Sequence, residues 1–457
     1  MAHYIETPCG PIQGIASEKA ESVSVYRGIR YATAKRFCRP VQTTHWDGVY
    51  DATKFGNCCY QPRAFYDEAT SSGKAFYYRE FREGETYTYS EDCLFLNIWT
   101  PAEARDLPVI FYIHGGSLLG GCGFEKHFEG EAFCKRDVIF VSINYRLGPL
   151  GFLAHPWLDE EAGTSGNYGA YDQLCALQWV YDNIAAFGGD PNRITIMGQS
   201  AGAMSVQALV LSPLTEGLIC GAIMLSGGGV NSIINPGAKR YKDIEDFWGN
   251  VVTAYGVSNL EELRQLDPQT IFEIYDKVKQ KEKGSMTACS PCGDGTFLVD
   301  SGKEIVAQGR AKFIPYITCT TSEDVVPPVF FSMAKGWVNK QAAIGNPNCY
   351  QAFFCRRLPG DDNGAWHSSD LWYALGTLKN GWRPFTPEDF SLSDAMVSYY
   401  SNFAKTGNPN GPGLPKWVAA GKGNNETVIF DVPKIGMGRV SMKKLLKTML
   451  KNQSVGE

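Results

Sequence analysis

Long apolar runs are absent from this 457-residue sequence. None approaches the roughly 20 consecutive apolar residues that a bilayer-crossing helix needs, so no spanning segment is expected. An excess of positive charge is also absent. Lys and Arg number 43 against 48 Asp and Glu, a formal net charge of −5, which gives no electrostatic reason to expect a nucleic-acid partner. The N-terminus, Met1-Ala-His-Tyr-Ile-Glu-Thr-Pro8, lacks the basic-then-apolar pattern of a secretory signal. Internal repeats and low-complexity segments are missing. Cys289-Ser-Pro-Cys292 is a lone C-x-x-C; with no second pair to complete a zinc site and no thioredoxin-like context, it reads as a loop. Histidine is scarce, at six.

Hydrophobic residues at 44% and charged residues at 20% fit a globular protein with a sizeable core. Aromatics at 13% exceed what a bare core needs and point to an aromatic-lined pocket. Fourteen cysteines without an export signal lead to the expectation of buried thiols in a reducing, cytoplasmic setting. Candidate linkers such as Gly407-Asn-Pro-Asn-Gly-Pro-Gly413 are too short to separate large modules, so residues 1–457 are read as one domain.

Leu94-Phe-Leu-Asn-Ile-Trp99, Pro108-Val-Ile-Phe-Tyr-Ile113 and Val138-Ile-Phe-Val-Ser-Ile143 read as strands. The second and third are nearly continuously apolar, as strands covered on both faces are. A helical pattern spans about Tyr171 to Ala186. Arg193 to Met197 reads as a fourth strand, and Ala201 to Val210 as a helix. The alternation predicts an α/β protein with a large, mostly parallel central sheet covered by helices on both faces. The charged helical stretch from Tyr241 to Lys283 reads as a cap insertion.

Gly198-Gln-Ser200-Ala-Gly202 falls between a predicted strand and a predicted helix. At such a junction the pattern holds a serine in a sharp bend, where side chains in place of the glycines would clash with the adjoining elements. The bend exposes the hydroxyl at the carboxyl end of the sheet and turns the next backbone N–H toward a developing oxyanion. Upstream, His114-Gly-Gly-Ser117 directly follows the strand ending at Ile113. A glycine-rich turn there can supply further N–H groups to the same oxyanion.

Phe187-Gly-Gly-Asp-Pro-Asn-Arg-Ile-Thr-Ile-Met-Gly-Gln-Ser-Ala-Gly202 resembles the active-site signature of the type-B carboxylesterase family, whose members include bacterial para-nitrobenzyl esterases and cholinesterases. Glu91-Asp-Cys-Leu-Phe-Leu-Asn-Ile-Trp99 resembles that family's second signature. Further similar segments are Tyr26 to Tyr31, Asn144 to Gly148, Gly166 to Gly169 and Phe403 to Asn410. The likeness covers almost the whole chain and implies the α/β-hydrolase fold. It also implies a base that follows the nucleophile in chain order, and of His3, His45, His114, His127, His155 and His367 only His367 does so. The stretch Ile314 to Asp324 resembles the acid-bearing loop. Laid on it, the triad carboxylate falls on Asp324, with Glu323 as the alternative and Asp370 as a third candidate. Val325 stands where the family commonly has glycine.

The activity implied is hydrolysis of carboxylic esters by Ser200, His367 and Asp324 through an acyl-enzyme, with Gly116, Ser117 and Ala201 as the oxyanion hole. No metal or organic cofactor is required. The expected partner is a small-molecule ester, with no nucleic acid or membrane involved, and the expected state is a monomer or small homo-oligomer. Ser117 replaces a common third glycine, Leu118 a common aromatic, and Gln199 a common glutamate. A chain on the short side for the family implies an accessible pocket and short-to-medium acyl or small aromatic esters. Cys59 and Cys93 match positions that form a disulfide in secreted relatives; the cytoplasmic expectation makes them free thiols. The loop between them has no tryptophan, whereas cholinesterase-like members use one there to bind a quaternary ammonium. Some relatives of this fold are adhesion domains that have lost triad residues; this sequence keeps the serine, the histidine and an acid. The C-terminal apolar residues Met442, Leu445, Leu446, Met449 and Leu450 sit at helical spacing and are expected to pack on the domain rather than on a membrane.

Overall fold

A computed structural model of the chain describes residues 2–71, 73–230, 240–282, 289–421, 424 and 426–453. Its principal strands are β1 (Ala2–Thr7), β2 (Gly10–Ser17), β3 (Ala20–Arg30), β4 (Phe95–Pro101), β5 (Leu107–Ile113), β6 (Ile139–Ile143), β7 (Gly189–Gln199), β8 (Gly221–Leu225), β9 (Tyr316–Thr321), β10 (Cys349–Phe354), β11 (Thr427–Phe430) and β12 (Gly436–Gly438). They form one sheet in the order β1-β2-β3-β4-β6-β5-β7-β8-β9-β10-β11-β12. From β6 to β11 every neighbouring pair is parallel. The pairs at either edge are antiparallel.

Alternation along the parallel strands splits the core in two. On β5, Val109, Phe111 and Ile113 join one hydrophobic cluster, while Ile110 and Tyr112 join the other. The period of two in a pleated strand sends successive side chains to opposite faces, and both faces meet helices, so the strand reads as a continuous apolar run. Helices α2 (Tyr168–Asn183) and α3 (Ala201–Leu211) contribute Trp179, Leu177 and Val206 to the first cluster. Helix α9 (Pro387–Thr406) brings Tyr399, Tyr400 and Phe403 to the second. Thr386 and Asp389 close its start as a capping box. Gly407 ends it at φ 72°, a left-handed cap conformation that glycine adopts without penalty.

The stretch beginning at Tyr241 is helical as expected. It forms α4 (Glu245–Tyr255), α5 (Leu260–Gln265) and α6 (Pro268–Lys281), whose buried Phe247, Trp248, Ile271 and Tyr275 continue the first cluster. Between the cysteines at 59 and 93 lies α1 (Ala75–Phe81), and after β9 and β10 come α7 (Pro327–Ala343) and α8 (Leu371–Ala374). Cys289 and Cys292 are buried unpaired thiols in a loop.

Two expectations need correction. Cys59 and Cys93 are not free thiols: they are joined in a disulfide, their Cα atoms 4.9 Å apart. Short pairing of Cys58 with Tyr89 and of Cys59 with Ser90 brings the two ends of the loop together, inside the separation a disulfide spans. The cysteine count therefore no longer points to a reducing compartment. The C-terminal helix α10 (Met442–Gln453) packs only part of its apolar surface. Leu445 is buried against Phe331 and Phe353, whereas Met442, Leu446 and Leu450 are exposed. Among the described residues no helix is long and apolar enough to cross a membrane.

Candidate active site

The site lies past the carboxyl ends of the parallel strands, where loops from several strands converge. β7 ends at Gln199 and α3 begins at Ala201, with Ser200 between them at φ 55°, ψ −123°. A non-glycine residue occupies this conformation only when its surroundings impose it. Here the Ser200 N–H donates to the Leu225 carbonyl of β8 at 2.8 Å, and the Ser200 carbonyl accepts from Met204 at 3.0 Å. The flanking glycines are obligatory. A Cβ on Gly202 would stand 2.0 Å from the Ile113 carbonyl oxygen, and one on Gly198 2.4 Å from the Gly202 carbonyl carbon.

His367 reaches Ser200 from the loop between β10 and α8. Its Nε2 lies 2.8 Å from Ser200 Oγ, and its Nδ1 lies 2.6 Å from Asp324 Oδ1. An ionised Asp324 can only accept, so Nδ1 carries the proton and Nε2 is left to accept from the serine hydroxyl. Asp324 is buried, which disfavours its charge, yet His367, Ser226 and the Val325 N–H outweigh burial and hold its pKa below the ordinary value. Burial likewise disfavours a charged His367, but the charge and hydrogen bond of Asp324 raise its pKa above 6.5.

The other two acids sit elsewhere. Glu323 pairs with Arg357. Asp370 is buried, and neither carboxylate oxygen has a hydrogen-bond partner among the described residues; burial, then the Asp324 charge, push its pKa up to about 7. Asp324 is the acid on the histidine.

The turn after β5 is tightly wound. Gly116 sits at φ 107°, and Ser117 and Leu118 at 59° and 57°. A Cβ on Gly116 would lie 2.1 Å from the Gly120 carbonyl oxygen. The Gly121 N–H donates to Gln61 Oε1 at 2.9 Å, and Gln61 Nε2 donates back to the Gly121 carbonyl at 3.0 Å. Just beyond the turn, buried Glu125 accepts from both Arg63 and Arg82; burial opposes its charge, but the two guanidinium groups hold its pKa at about 2. Among the described residues no acceptor takes the N–H of Gly116, Ser117 or Ala201. His114, at the start of the turn, is buried, which pushes its pKa down to about 4; its Nδ1 lies 2.8 Å from the Gly115 carbonyl oxygen and its ring stacks on Tyr145.

Several neighbours escaped the sequence reading. Ser226 Oγ donates to Asp324 Oδ2 at 2.7 Å; its one sequence signal is the strand-ending run Leu225-Ser-Gly-Gly-Gly229. Tyr77 on α1 donates through its hydroxyl to the His367 carbonyl at 3.4 Å, and Phe330 on α7 meets the His367 ring edge-on. Nothing in sequence spacing ties α1 or α7 to residue 367. Gln199 Nε2 is 3.3 Å from His367 Nε2, so a neutral amide stands beside the imidazole.

The profile of the carboxylesterase family matches residues 2–344 and 338–449. Para-nitrobenzyl esterase of Bacillus subtilis (strain 168) is 28% identical over 94% of this chain and 95% of its own. Fumonisin B1 esterase of Sphingopyxis macrogoltabida is 37% identical over 68% of this chain and 54% of its own. Among solved structures, a thermophilic PNB esterase superposes with a TM-score of 0.82 at 26% identity, covering 97% of this chain and 100% of that one. A carboxylesterase of Geobacillus stearothermophilus superposes with 0.78 at 28% identity, over 98% and 99%.

Proposed function

As a member of the carboxylesterase family the chain is a carboxylic ester hydrolase, and we propose that it works through Ser200, His367 and Asp324 by way of an acyl-enzyme. The support is the unbroken run of two hydrogen bonds, 2.8 Å from Ser200 Oγ to His367 Nε2 and 2.6 Å from His367 Nδ1 to Asp324 Oδ1. In this reading Ser200 Oγ attacks the ester carbonyl carbon as its proton passes to His367 Nε2. Asp324 stabilises the imidazolium and stays ionised. The N–H groups of Gly116, Ser117 and Ala201 take the oxyanion; loss of one such donor typically costs about 3–4 kcal/mol of transition-state stabilisation. His367 then protonates the leaving alcohol. Water, deprotonated by the same nitrogen, releases the acid and restores Ser200.

Short-to-medium acyl or small aromatic esters suit a site with aromatic Tyr77 and Phe330 beside the base. The relatives named para-nitrobenzyl esterase and cocaine esterase are in keeping with that class. The test is turnover of p-nitrophenyl esters from acetate to palmitate by wild type and Ser200→Ala. Hydrolysis of the short chains is expected, with loss of about 10⁴-fold or more in the variant. Undiminished turnover by Ser200→Ala would remove the serine from the mechanism.

A further inference from the structure

We propose that α10 is a docking surface for bilayers that carry anionic headgroups. Helix α10 shows two faces. Leu445 is buried against Phe331 of α7 and Phe353 of β10, so the helix is anchored and its other side is presented outward. Turned about 60–140° from Leu445 around the helix, Met442, Leu446 and Leu450 recur every fourth residue and are 41%, 47% and 61% exposed. At about 100° per residue they fall within an arc of roughly 80°, and Lys443 and Lys447 occupy the next ~60°. Both lysines and Lys444 are exposed, and none forms an ion pair among the described residues.

Charge selects the occupant. Between residues 432 and 456 the sequence has six basic residues (Lys434, Arg439, Lys443, Lys444, Lys447 and Lys451) and no acid, in a chain whose net charge is −5. A second copy of the chain meeting this face symmetrically would bring two lysine rows together, which like-charge repulsion opposes. An apolar row flanked by lysines instead suits shallow insertion at an anionic lipid surface, with the leucines among the acyl chains and the ammonium groups at the phosphates. The surface lies one helix from the chemistry: α7 sends Phe330 to the ring of His367 and Phe331 to Leu445.

The experiment is flotation of the full-length protein with vesicles of phosphatidylcholine alone and of phosphatidylcholine with phosphatidylglycerol. Binding is expected to be about 10-fold tighter or more with phosphatidylglycerol, the effect expected of a few lysines at a charged surface, and to be lost at about 1 M salt. Lys443→Gln/Lys447→Gln and Leu446→Ser/Leu450→Ser should each weaken it by about 10-fold. Both pairs are exposed, so melting temperature and turnover of soluble p-nitrophenyl acetate should stay at wild-type values, which controls for folding. The proposal is overturned if phosphatidylglycerol adds no binding, or if neither pair of substitutions weakens it. A dimer that Leu446→Ser/Leu450→Ser converts to monomer would also overturn it, by giving the face to a second copy.

Discussion

Glu323 and Asp324 are adjacent acids with opposite surroundings, and the difference is a matter of what faces each carboxylate. Asp324 is buried and accepts from His367, Ser226 and Thr321. Glu323 meets the exposed guanidinium of Arg357, a pairing worth little at a surface. Asp324→Asn should therefore lower kcat by about 10⁴-fold, because the amide favours the wrong imidazole tautomer, while Glu323→Gln should leave kcat within a few-fold; steady-state kinetics of the two variants checks both. Asp370 lends itself to a pH test. Its pKa rises from 3.8 unfolded to about 7 folded, so the native state binds the extra proton, and stability falls as pH climbs through that window. Asp370→Asn removes the charge, and its melting temperature relative to wild type should be higher at pH 8 than at pH 5. Likeness to the family's acid-bearing loop favoured Asp324 but kept Glu323 and Asp370 as alternatives, because orientation and burial, not identity, separate three carboxylates.

At the scale of elements, the loop from Cys59 to Cys93 closes on itself through its disulfide and carries α1, whose Tyr77 rests on the backbone of His367. Opening a loop of this length restores chain entropy to the unfolded state, typically about 2–4 kcal/mol of lost stability. Cys59→Ser/Cys93→Ser should show that loss in urea denaturation, with Ser200 still reactive toward an organophosphonate below the transition. The elements that a local pattern defines were legible: the β5, β6 and β7 strands, the serine turn and the α3 helix follow from apolar runs and glycine placement. The antiparallel edge strands β1 to β3 were not read. Their buried positions do not form a continuous apolar run: β2 mixes buried with half-buried positions, and the buried run of β3 includes Ser24, which gives a weaker signal than the apolar runs of strands covered on both faces. The C-terminal helix was read as a helix, but how much of its apolar side would find a partner depended on where α7 and β10 left Leu445.

At the scale of the whole molecule, the residues of the proposed triad come from the segments that follow β7, β9 and β10, strands that share one sheet and two continuous cores. Ser200 and His367 are 167 residues apart in sequence and meet only when that sheet is complete. Esterase activity and tryptophan fluorescence should accordingly be lost at the same urea concentration; activity lost at clearly lower urea would show that the loops loosen before the sheet. The sequence by itself determined the α/β class, the strained serine turn and the single histidine downstream of it, because each rests on local rules: apolar periodicity, the steric freedom of glycine, and the residue types that ester chemistry demands. Only the tertiary structure decided which acid orients His367, that Cys59 and Cys93 are bonded, that Ser226 and Tyr77 belong to the site, and which side of α10 faces out. Those are contacts between segments distant in the chain, and sheet order and burial set them.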